Sequence, residues 1–83
     1  MLTMKMNWEE FIQKDADTQR YLAWCQHIEG ITLDRLEKVE EPQARWKLAQ
    51  YQQIEGITLD RLEKVKGAQT RWLLAHYQQI GSK

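Results

Sequence analysis

The run from Ile28 to Val39 recurs verbatim from Ile54 to Val65. The likeness continues beyond it. Gln43, Arg45, Trp46, Leu48, Ala49, Tyr51, Gln52 and Gln53 return as Gln69, Arg71, Trp72, Leu74, Ala75, Tyr77, Gln78 and Gln79, giving 20 identities in a 26-residue period. A fixed period of this length marks an architecture of stacked supersecondary units, none of which buries its apolar face alone. A diverged third copy precedes these two. Leu22, Ala23, Gln26 and Ile28 match Leu48, Ala49, Gln52 and Ile54 in register, and the run Met6 to Phe11 resembles Ile31 to Leu36 after a one-residue slip.

The repeated residues read as helix punctuation. Asn7, Thr32 and Thr58 are N-cap residues, whose side-chain oxygens accept orphan backbone N–H bonds. Glu9, Asp34 and Asp60 follow them at the positive end of a helix dipole. Met6 with Phe11, Ile31 with Leu36 and Ile57 with Leu62 stand at staple positions, and Asn7 with Glu10 completes a capping box. Gly30 and Gly56, and Gly81 at the end, read as helix stops. Further breaks fall at Asp15-Ala16-Asp17, Glu41-Pro42 and Gly67-Ala68, with Pro42 suited to the first position of a new helix.

The expected fold is all-α: a small helical-hairpin repeat bundle of two near-identical 26-residue units and one diverged N-terminal unit. All 83 residues form a single helical domain, with units at about 6–30, 31–56 and 57–83. Helices are predicted at about 8–14, 17–29, 33–40, 42–55, 59–66 and 68–80. The alternative is that each of the last two units forms one long helix kinked at Pro42 or Gly67. Leu33, Leu36 and Val39 fall on one stripe, as do Leu59, Leu62 and Val65. The long helices are apolar on two sides: Trp72 and Ala75 lie opposite Leu73, Leu74, Tyr77 and Ile80, and Trp46 and Ala49 lie opposite Leu48, Tyr51 and Ile54. A helix of that kind is sandwiched between neighbours. Ala23, Ala49 and Ala75 stand at equivalent places, where they permit close helix approach.

Composition narrows the function classes. With 42% hydrophobic and 29% charged residues the chain is globular rather than disordered. Its formal net charge is zero, against the basic excess that nucleic acid or a membrane surface usually selects. The charge is unevenly spread: residues 1–30 carry three basic and five acidic groups (net −2), residues 31–56 four and five (net −1), and residues 57–83 five and two (net +3). Opposite-signed ends favour head-to-tail self-association. The single cysteine, Cys25, allows no intrachain disulfide. Without a membrane-length apolar run or a signal peptide, a cytoplasmic protein is expected.

No catalytic constellation emerges. Cys25 and His27 are two residues apart, which on a helix points them in different directions, and His76 is remote. Neither a four-ligand metal set nor a glycine-rich phosphate loop is present, and Glu9, Glu10, Asp15, Asp17, Glu40 and Glu41 read as caps and solvated side chains. The expectation is a non-enzymatic protein-interaction module of tandem helical hairpins, self-associating, with no cofactor, membrane or small-molecule substrate. Its partner-binding candidates are Trp8, Trp24, Trp72, Tyr77 and Gln78, since exposed aromatics anchor interfaces. Gln50, Gln52, Gln53, Gln78 and Gln79 read either as a solvated helix surface or as a hydrogen-bonding interface. One alternative is a helix-turn-helix nucleic-acid-binding protein using Lys64, Lys66, Gln69, Thr70 and Arg71 of the basic last unit. Another is a recent or engineered duplication of a parent of about 57 residues, a length that follows from removing one 26-residue period.

Overall fold

A computed structural model describes residues 5–81. The expected helix starts are present. Asn7 accepts a hydrogen bond from the Glu10 N–H at 2.8 Å and opens α1 (Trp8–Ile12). Thr32 accepts from Arg35 and Thr58 from Arg61, both at 3.2 Å, opening α3 (Leu33–Glu37) and α5 (Leu59–Glu63). The longer helices are α2 (Ala16–Cys25), capped by Asp15, and α4 (Pro42–Tyr51), capped by Glu41 with Pro42 in its first turn. The sixth, α6 (Ala68–Tyr77), starts at Gly67, which has φ of +88° and supplies no capping side chain. Extended φ/ψ at Glu41 and the positive φ at Gly67 separate α3 from α4 and α5 from α6, so neither pair is one kinked helix.

The helix ends differ from expectation. The long helices stop at Cys25, Tyr51 and Tyr77, three or four residues before 29, 55 and 80. Each is followed by a glutamine in extended conformation, Gln26, Gln52 or Gln78. The short helices likewise stop at Glu37 and Glu63, before 40 and 66. The residues beyond the long helices run parallel to the strand-like start of the same stretch of chain. Met6–Asn7 (β1) pairs with Ile28–Glu29 (β2), Thr32 with Glu55, and Thr58 with Gly81. A cap residue must itself be extended, and its exposed backbone groups are a ready partner for a returning segment. The fold is therefore mostly helical with a two-stranded parallel sheet, rather than purely helical. Gly30 and Gly56 do adopt positive φ, +81° and +82°, but they turn the chain from these extended runs into the next cap instead of ending a helix. Gly81 has no positive φ; its N–H donates to the Ile57 carbonyl at 3.0 Å.

The helices pack in sequence: α2 lies on α4 and α4 on α6, while α3 packs on α4 and α5 on α6. Phe11, Ile31, Leu33, Leu36, Val39, Leu48 and Leu74 are the largest apolar side chains fully withdrawn from water. Each contributes about 1.5–3 kcal/mol by its burial. Helix α4 is covered on both sides, so Leu48 and Ala49 are both buried. The two equivalent tryptophans have different surroundings. Trp46 is half-buried against the core, whereas Trp72 is 55% exposed, because among the described residues α6 has a long-helix neighbour on one side alone. No described helix is long and apolar enough to cross a membrane.

Candidate protein-interaction face

Two junctions join neighbouring long helices, and both use the same atoms. At the first, the buried Gln52 accepts a hydrogen bond from the Ile28 N–H at 3.0 Å and donates to the carbonyls of Ala23 at 3.0 Å and Gln26 at 2.6 Å. At the second, Gln78 accepts from the Ile54 N–H at 3.1 Å and donates to the carbonyls of Ala49 at 2.7 Å and Gln52 at 2.6 Å. One amide thus holds the end of the preceding long helix and the extended residues after it at three points. An arginine acts beside each. Arg35 donates to the Gly30 carbonyl at 2.8 Å and reaches Glu9 at 3.3 Å, and Arg61 pairs with Asp34. Arg45 and Arg71 brace the turns within their own stretches through the Val39 and Val65 carbonyls, at 2.6 and 2.9 Å.

These junctions define a forward face on each stretch, the one covered by the next. Trp8 and Leu33 lie on it and are buried, with exposures of 7% and 1%. Their equivalent in the last stretch, Leu59, is 53% exposed. The same change separates Ala49, buried, from Ala75, exposed, and Trp46 from Trp72. Leu59, Trp72 and Ala75 are thus all exposed, and Trp72 belongs to an aromatic group. His76 stacks on Trp72 at 4.8 Å, and Tyr77 stands edge-on to both rings. Asp60, next to Leu59 in sequence, pairs with Lys64 at 3.6 Å.

The partner-binding candidates divide. Trp72 and Tyr77 share this exposed cluster. Trp24 is exposed as well, edge-on to Tyr21 at 6.4 Å, but it sits on α2, which α4 separates from α6. Trp8 is no surface anchor: it is buried with its ring 5.5 Å from that of Phe11. Gln78 is half-buried and directs its amide inward. Leu59, exposed despite its helical stripe, was not among the candidates. It stands on the same helical stripe as Leu33, and it is exposed because no described stretch covers it.

Of the nucleic-acid candidates, Lys66 and Thr70 are brought together in one cleft. Thr70 is 1% exposed and meets Arg45 at 3.3 Å. Lys66 lines a cleft of about 400 Å³ that also holds Glu37 and Arg45, Lys64 pairs with Asp60, and Arg71 is turned to Val65. Gln69 is exposed. Cys25 is exposed, and its hydrogen bond with Tyr21 holds that phenol above its usual pKa. Among the described residues, no group of three or more His, Cys, Asp or Glu side chains is placed to hold a metal ion. Comparison of the chain with known protein families, with curated proteins and with solved structures finds no match.

Proposed function

We propose that this chain is a non-enzymatic protein-interaction module, a single domain of tandem helical hairpins that associates with itself through its open forward face. One observation carries the reading: Leu59 is 53% exposed where its sequence twin Leu33 is 1% exposed. Residues 57–81 repeat the internal hairpin and present Leu59, Trp72 and Ala75 to water. Aromatic and aliphatic side chains clustered in this way are the usual anchors of an interface.

Gel filtration with light scattering, run from dilute to near-millimolar protein, tests the proposal. The expected result is a mass that rises with concentration and falls back to the monomer in Leu59→Glu. A wild-type chain that stays monomeric throughout defeats it.

A further inference from the structure

Resting on that self-association, we infer that the partner of the forward face is the first hairpin of a second copy, docked head to tail in the register of the internal junctions. Each internal junction joins a forward face to the backward face of the next hairpin. The forward half comprises two backbone carbonyls, one N–H and an apolar patch; in the last hairpin the equivalent atoms belong to Ala75, Gln78 and Ile80, beside Leu59 and Trp72. The backward half carries a leucine, buried as Leu48 and Leu74, and a residue that in the last hairpin is Leu73, which lines one cavity with Trp46. In the first hairpin the equivalent places hold Leu22, half-buried, and Tyr21, 61% exposed. Tyr21 of one copy would therefore meet Trp72 of another as Leu73 meets Trp46.

Charge supports the same orientation. The last hairpin is net +3 and the first net −2, so head-to-tail contact is attractive, whereas forward face against forward face sets like charges together. One position is mismatched. Glu10 stands where Arg35 and Arg61 stand, by the shared cap geometry, and faces Asp60 of the neighbouring copy. The contact between copies thus lacks the ion pair of the internal junctions and is weaker than they are. Because the two faces differ, the contact is heterologous, and copies add past the dimer into a ring or an open chain.

Analytical ultracentrifugation of Leu59→Glu, Tyr21→Glu and their equimolar mixture tests this; both positions are exposed, so neither change disturbs the core. Wild type should grow past the dimer, each variant alone should remain monomeric, and the mixture should form a one-to-one heterodimer through its two intact faces. Glu10→Arg should tighten wild-type assembly by about 2- to 5-fold, as an exposed ion pair does. Self-association of Tyr21→Glu alone, or a monomeric mixture beside an associating wild type, overturns the head-to-tail arrangement while leaving self-association standing. A monomeric wild type overturns both.

Discussion

Gln52 shows how much one side chain can organise in a chain of this size. Its amide is buried and meets three backbone groups contributed by Ala23, Gln26 and Ile28. Leucine fills the same space without a donor or acceptor, so Gln52→Leu strands all three and should cost about 2–3 kcal/mol in urea unfolding. Gln78→Leu should cost less, because Gln78 is only half-buried and water can replace part of its contacts. Equal losses at the two sites would contradict this account. A second residue-scale test concerns Asp15. The Thr18 side chain and backbone N–H hold its carboxyl below the usual value of 3.8. A depressed folded-state pKa stabilises the protein above the unfolded value, and that contribution disappears as pH falls through the folded value. Asp15→Asn keeps a capping oxygen but cannot titrate, so its stability should vary less than the wild type's on acidification below about pH 5.

At the scale of elements, the long helices stop early because their last turns have partners elsewhere. Parallel bridges at Thr32–Glu55 and Thr58–Gly81, and the β1–β2 pair, take the extended residues that helical periodicity alone would have continued. Gly30 and Gly56 make the turn between these runs possible. Gly30→Ala should cost about 1–2 kcal/mol, the penalty for a Cβ at left-handed φ. The added atom would also lie 3.3 Å from the Arg35 guanidinium. Between the long helices the relevant quantity is space. Ala49 has no exposed surface, so Ala49→Leu should overpack the α4–α6 contact and cost about 1–3 kcal/mol in thermal melts. Its exposed twin Ala75 should accept leucine with little change.

For the whole molecule, the proposed stack of hairpins implies stability that depends on the number of neighbours. If stability is a sum of hairpin and junction terms, inserting another copy of residues 31–56 adds one hairpin and one junction and should raise the melting temperature. Deleting one period should leave a folded but less stable chain. A cooperative unfolding free energy that does not change with hairpin number would speak against a modular stack. The proposed assembly between copies should weaken with added salt, since part of its attraction is between a net +3 stretch and a net −2 stretch.

The amino-acid sequence determined the period, the six helix starts and the helical class, because those signals are local. A cap and the N–H that it accepts are two or three residues apart, and an apolar stripe is complete within two turns. The tertiary structure decided what depends on partners 22–29 residues away: where the long helices end, which glutamines turn inward, and the burial of Trp8. It also separated Leu33 from Leu59. Identical local sequence cannot do so, because exposure is a property of the neighbour that covers a residue and not of the residue itself.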